Sequence, residues 1–267
     1  MIAQAKPLPG AGVSRGGAVR AGLVGAWLLN ERSGVIANNA GSFGAVANGV
    51  ITNTANTNSH WTSSCYGSGL DTLNGTRYVT LSNFPYIKFV SIVSWVKTTV
   101  SGNYYQIVNR DVPVGNRTWQ FRVDIDGKLN FIPFNSGGYN GTTTSSIAIN
   151  DGKWHQVVGT WDGGNERVYV DGKRSGTPGT LSGVLPTHNA PFFIANGSFD
   201  GGPGITAIID HVYIYNRALG AGEVAYLYSH PFAPFTPLTP RLLAPATSAF
   251  KPAWASRANQ LITPGVI

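Results

Sequence analysis

Between residues 23 and 230, apolar and polar positions alternate in short runs broken by Gly, Asn, Asp and Pro clusters. Trp119, Phe121, Val123 and Ile125 fall on one side of an extended chain, with Thr118, Gln120, Arg122 and Asp124 on the other. A period of two with one greasy side describes a strand that has one face in a core and one in water. Asp126-Gly127 offers the positive-φ pair of a tight hairpin turn, after which Leu129 and Phe131 resume the alternation. Asp171-Gly172 repeats the device, after Arg167–Val170 and before Lys173-Arg174. Similar runs predict strands at 23–29, 77–81, 89–97, 104–109, 154–161, 192–195 and 205–215, which makes at least ten in all. A single short helix is expected at 221–228, with Gly220 as its N-cap, Glu223 at the third helical position and a stripe of Val224, Leu227 and Tyr228. This pattern describes an all-β protein: a sandwich of two antiparallel sheets.

At both ends the alternation stops. Residues 1–22 predict an extended N-terminal arm, residues 23–230 the β domain, and residues 231–267 a Pro-rich C-terminal arm. Pro231, Pro234, Pro237 and Pro240 recur every third residue, the repeat of a polyproline II helix, which makes no internal hydrogen bonds. Yet Phe232, Phe235, Leu238, Leu242, Phe250 and Trp254 make this arm too apolar for a solvated linker. Such side chains need a surface, and two are open to them: their own domain, or a neighbouring subunit of an assembly.

Composition narrows the class. With 12% charged and 42% hydrophobic residues, the chain can bury a large core and is not disordered throughout. Its longest apolar stretches, such as Leu23–Leu29, fall far short of the roughly 20 residues a membrane-spanning helix needs, so no membrane is expected as a partner. The formal charge of +7 suggests nucleic acid until it is divided along the chain. Lys6, Arg15 and Arg20 in the first arm, and Arg241, Lys251 and Arg257 in the last, stand without acids, which leaves 13 basic and 12 acidic residues in residues 23–230. A nucleic-acid surface needs a dense basic face, because phosphate neutralisation supplies most of its affinity, and this chain has none. Cys65 is the only cysteine, and the N-terminus lacks a secretory pattern. Both features predict folding in a reducing cytoplasm.

Longer motifs are more specific. Asn150-Asp151-Gly152-Lys153-Trp154-His155-Gln156-Val157-Val158-Gly159-Thr160-Trp161-Asp162, with Val168-Tyr169-Val170-Asp171-Gly172-Lys173 after it, resembles the central signature of laminin-G-like domains of the concanavalin A-like lectin/glucanase superfamily. Ile208–Leu219, with Glu223 and Leu227-Tyr228, is similar to the family's closing strand and short helix. Gly22–Glu31 resembles its first strand, and Ile92–Lys97 an interior one. The resemblance implies a jelly-roll sandwich across residues 22–230, with Trp27, Trp95, Trp154 and Trp161 in the core. It implies no single activity, since the scaffold hosts lectins, glycosidases, adhesion modules and structural parts.

The residues themselves argue against catalysis. Glycoside hydrolysis needs two carboxylates across the scissile bond, but Glu31, Glu166 and Glu223 lack acidic company, and Asp124 and Asp126 read as turn residues. The five histidines show no metal-ligand spacing, and no nucleophile motif is present. No catalytic residue and no cofactor are therefore expected. Relatives sometimes hold a structural calcium between acids at the first strand's end and on the closing strand. This chain has Asn30 and His211 at those places, leaving Asp210 as the sole metal candidate. The parity of Asp210 with Ile208, Val212 and Ile214 turns it toward the apolar side, where backbone N–H groups would be expected to satisfy it. Flat rings stack on sugars, and Trp61, Tyr66, Tyr104 and Tyr139, set in polar, Gly-rich stretches, are the candidate ligand contacts.

Two functional readings result. One is a non-catalytic assembly protein, such as a capsid decoration, cement or fibre component of a phage particle, fastened to like subunits or to a capsid or tail protein by its arms and displayed on a virion or extracellular surface. The other is an adhesion module that recognises cell-surface or polysaccharide glycans.

Overall fold

The structure, a computed structural model, describes residues 6–14, 18–53, 60–111, 117–187, 190–197 and 203–235. Two antiparallel eight-stranded sheets face each other, as the alternation predicts. The first sheet runs in the order β14 (Lys173–Thr180), β13 (Asn165–Val170), β12 (Trp154–Trp161), β7 (Val90–Thr98), β16 (Ala207–Tyr215), β5 (Gly67–Asp71) and β4 (Trp61–Ser64), and β1 (Leu23–Trp27) also pairs with β16. The second runs β11 (Thr143–Ala148), β10 (Lys128–Pro133), β9 (Trp119–Val123), β8 (Tyr105–Arg110), β15 (Phe192–Ile194), β6 (Arg77–Leu81), β3 (Gly49–Asn53) and β2 (Ile36–Ala37).

The inner faces interdigitate into one core. Trp27, Phe84, Trp119 and Phe192 form an aromatic group at its centre, with Phe84 stacked on Phe192 at 5.0 Å between centroids. Gly159 of β12 lets the sheets approach closely: a Cβ there would lie 2.8 Å from the Phe131 ring of the opposite sheet. Of the four tryptophans assigned to the core, Trp27, Trp95 and Trp161 are buried, whereas Trp154 is only half-buried at the start of β12.

The two hairpins differ in their turns. Asp171 and Gly172 both take positive φ, as a two-residue turn requires. At Asp126-Gly127 only Gly127 does, and Asp124 is the residue that caps the turn, its Oδ1 accepting from the N–H groups of Asp126 (3.0 Å) and Lys128 (2.9 Å). This is a longer turn closed by a left-handed glycine and capped by Asp124, with the Asp126 side chain exposed at its corner. Helix α1 (Ala221–Ser229) begins where expected, with the Glu223 carboxylate accepting the Gly220 N–H at 2.9 Å and held by Arg217.

A second apolar layer lies on the outside of the first sheet. Tyr169, Val158, Val93, Tyr213 and Ala26 stand side by side across five strands, a greasy row that a sheet facing water would not carry. Val19, Leu219, Val224, Leu227, Phe232 and Phe235 cover it. The domain therefore extends past the limits of 23 and 230. Phe232 and Phe235, assigned above to an arm for assembly contacts, are 5% and 3% exposed against their own domain, because Tyr213, Tyr66 and His211 offer them an aromatic bed. Ser14 N–H donates to Pro234 O at 2.8 Å, tying the inner parts of the two arms together. Leu238, Leu242, Phe250 and Trp254 lie outside the described residues.

Candidate functional site: a polar face on the second sheet

The outer face of the second sheet has the opposite character. In β9 the side chains between Trp119, Phe121 and Val123 are Gln120 and Arg122, and strand register sets Gln120 beside Asn109 and Arg122 beside Gln106 on β8. The pairing of β8 with β9 shifts between Gln106 and Val108. This bulge lets Ile107 and Val108 both enter the core while Gln106 stays on the polar side. On β10, Asn130 stands beside Arg122, and Thr144 of β11 beside Asn130. Six polar side chains that alternate in sequence thus become neighbours in space.

Four of them, Gln120, Arg122, Asn130 and Thr144, form one hydrogen-bonded chain with Asp111. Arg122 Nε donates to Asn130 Oδ1 (3.1 Å) and its Nη1 to Gln120 Oε1 (2.7 Å). Asn130 Nδ2 donates to Thr144 Oγ1 (2.8 Å), and Gln120 Nε2 to Asp111 Oδ2 (2.7 Å). Arg117 lies 3.5 Å from the other Asp111 oxygen and 5.7 Å from the centre of the Phe134 ring. Beside that ring is a cavity of about 340 Å³, lined by Arg117, Asn135, Asn140 and Pro186. At the opposite end of the strands the Arg122 guanidinium sits over the Tyr104 ring, 4.1 Å from its centroid. Gln106 is buried on this face, yet neither its amide oxygen nor its amide nitrogen has a partner. A buried, unsatisfied primary amide costs free energy and carries donors and acceptors for an incoming ligand. Solvent reaches the face at Tyr104, Arg122 and Thr144.

The four aromatics picked out from sequence do not converge. Tyr104 precedes β8 and is 41% exposed, and Tyr139, between β10 and β11, is 72% exposed. They mark the two ends of the polar face: Tyr105, next to Tyr104, pairs with Val123, while Phe134, which bridges to Asn140 beside Tyr139, follows the β10 residue paired with Trp119. Trp61 is on β4 of the other sheet, beside a shallow cavity of about 370 Å³ that includes Arg32 and Ser68. Tyr66 packs edge-on against Trp95 and Phe232 under the second apolar layer, so it serves packing. Gln106, Asn109 and Asn130 were not singled out from sequence. Their only signal is the alternation of polar residues on three strands, which becomes a site once the pairing is known.

Asp210 is fully buried, but its orientation departs from the simple alternation. The register of β16 with β7 shifts between Ile209 and Val212, so both of those face the core and Asp210 does not. Its partners are mostly side chains: Lys6 Nζ at 3.0 Å and His211 Nδ1 at 2.6 Å on one oxygen, the Ser64 hydroxyl and the Tyr66 N–H on the other. Burial alone would raise its pKa, but the hydrogen bond from His211, the Lys6 ammonium and the Ser64 hydroxyl hold it at about 2. Burial keeps the His211 pKa below the usual imidazole value, so the neutral ring donates Nδ1–H to the carboxylate. A structural calcium does not fit here. It wants six to eight oxygens, several of them carboxylates, whereas Asn30 turns its Nδ2 donor to Pro7 O at 2.6 Å, His211 is itself a donor, and the Lys6 ammonium already takes the oxygens. Among the described residues no cluster of three His, Cys, Asp or Glu could hold a metal ion.

Fold and register together define a concanavalin A-like sandwich with one greasy outer face, capped by α1 and the segments around Val19 and Phe232, and one polar outer face. A laminin G family profile, described as the concanavalin A-like lectin/glucanases superfamily, matches residues 73–225, and the chain belongs to that family. Solved structures share the fold. The binding domain of Paraclostridial Mosquitocidal Protein 1 superposes with a TM-score of 0.61 at 16% identity over 80% of this chain and 53% of that one. Domain 4 of a GH43 extracellular arabinanase from Geobacillus stearothermophilus, in complex with arabinotriose, gives 0.60 at 22% identity, covering 78% of this chain and 98% of the domain. The receptor binding domain of botulinum neurotoxin D gives 0.58 at 14% identity, over 81% and 54%. The chain thus spans about half the length of the two toxin binding domains and nearly all of the arabinanase domain. Comparison with curated proteins finds no match.

Proposed function

We propose that this chain is a non-catalytic glycan-binding module, and that a saccharide lies along the outer face of the second sheet between Tyr104 and the cavity beside Phe134. The observation that carries this reading is Gln106, buried on that face with both amide atoms unpartnered, next to a row of amides, a guanidinium and a hydroxyl. Sugar hydroxyls donate and accept at once, and planar amide and guanidinium groups match them with directional bonds, while exposed rings cover the apolar side of a pyranose or furanose. Arabinotriose in the arabinanase domain supports a saccharide as the class of ligand, and a neutral glycan suits a face whose cation is already satisfied by neighbouring oxygens.

A role in fastening subunits of a phage particle rested partly on Phe232 and Phe235. With both against their own domain, the binding reading takes precedence, and display on an extracellular or particle surface fits it equally well. The test is a glycan array that includes arabinan, pectin and cell-wall oligosaccharides, run with and without calcium. Binding that Gln106→Ala and Arg122→Ala weaken about tenfold or more, with thermal stability retained, is the expected result. Silence across the array in both conditions would overturn the proposal.

A further inference from the structure

Lys6 lies in the N-terminal segment, yet its side chain is 4% exposed. The ammonium donates to Ser68 O at 2.6 Å, Leu28 O at 2.8 Å and Asp210 O at 2.8 Å, and lies 3.0 Å from Asp210 Oδ1. Those oxygens come from the residue after β1, from β5 and from β16, three places far apart in sequence. An ammonium has three N–H donors and one charge. The three carbonyls take the donors and the carboxylate answers the charge, so nothing in this cradle is left over.

An oxygen cage that collects three carbonyls and a carboxylate around one positive centre is the environment of a bound cation. Here the cation is covalently part of the chain. We propose that the Lys6 ammonium is a built-in replacement for a structural metal ion: it ties the end of β1 to β5 and β16 and makes the domain independent of calcium. The calcium that the family resemblance implies for this corner is, in this chain, displaced by its own residue 6. The arrangement also makes residues 6–14 part of the fold. Asn30 holds Pro7 O, and further along Ser14 N–H reaches Pro234 O, so release of Lys6 would loosen the chain that crosses the second apolar layer.

The test is thermal unfolding of the full chain, with and without excess EDTA or excess calcium, for the wild type, Lys6→Ala and, as an exposed-lysine control, Lys153→Ala. The wild-type Tm should be the same in all three buffers. Lys6→Ala should lose about 5–15 °C, since it strips a buried carboxylate of its cation, and Lys153→Ala should match the wild type. A wild-type Tm that falls in EDTA or rises in calcium would overturn the proposal, because a metal would then be contributing at the wild-type site. So would a Lys6→Ala protein as stable as the wild type. If Lys6→Ala fails to fold, the wild-type comparison across buffers still decides.

Discussion

The Arg122 guanidinium carbon lies over the Tyr104 ring, 4.1 Å from its centroid, while its nitrogens hold Gln120 and Asn130. The stack fixes an exposed ring at one end of the polar face and aims a planar set of donors along it. A lysine at this position would keep the charge but lose both the fork and the stacking. Arg122→Lys should therefore weaken binding of an array-identified glycan about tenfold in calorimetric titration. Tyr104→Ala should do the same if the ring touches sugar. Equal affinities for wild type and Arg122→Lys would remove Arg122 from the site.

Glu166 gives a pH dependence unrelated to binding. The carboxyl is fully buried and neither oxygen makes a well-formed hydrogen bond. Gly141 and Gly179 leave it room, since a Cβ on Gly141 would lie 1.8 Å from Oε1. Burial raises its pKa to about 7, against a weaker pull from the Thr142 amide. Because the folded value lies above the unfolded 4.5, the folded state binds the extra proton. Stability should be full below pH 4.5 and fall until about pH 7, by about 3 kcal/mol. Glu166→Gln should flatten that slope in denaturant titrations at a series of pH values, and should be the more stable protein at pH 8.

His155 acts in a higher window. Its pKa is raised, chiefly by the Asp171 carboxylate at 2.8 Å on Nδ1, with Asp151 at 3.0 Å on Nε2 helping against burial. A histidine raised in the folded state stabilises fully below its unfolded value of 6.5 and loses that contribution as pH climbs through the folded value. An imidazole titration followed by NMR should show a midpoint above 6.5. His155→Gln should lose stability at pH 6 and little at pH 9.

Phe232 links the C-terminal segment to the domain. It packs edge-on against Tyr66 and lies 5.3 Å from the His211 ring. Phe232→Ala should cost about 3–5 kcal/mol in chemical denaturation. A loss below 1 kcal/mol would mean that the segment does not contribute to the second apolar layer in solution.

How far sequence carries depends on the element. Strands with strict alternation, such as the one containing Phe121 and the one containing Val168, are legible because one face is buried and one is wet. Helix α1 is legible from Gly220 and Glu223. The strands β2, β3, β4, β5 and β11 were not: Gly49–Asn53 and Gly67–Asp71 mix Gly, Ser and Asn with few apolar positions, and they take strand form through their neighbours. The orientation of Asp210 failed for a specific reason, since a bulge beside Ile209 cancels parity. The partnership of Lys6 with Asp210, 204 positions away, leaves no local trace at all. The polar face was half visible, with Gln120 and Arg122 read as the wet side of a strand, but the residues that complete it sit on strands whose register only the fold supplies.

The most direct test of the binding face is a nitrogen–proton correlation spectrum of the labelled protein, titrated with an oligosaccharide that the array identifies. The account predicts that the side-chain amides of Gln106, Gln120 and Asn130 and the guanidinium of Arg122 shift together with the backbone of β8 to β10. Shifts confined instead to the Trp61 edge of the first sheet, or to α1 and the residues around Phe232, would contradict it.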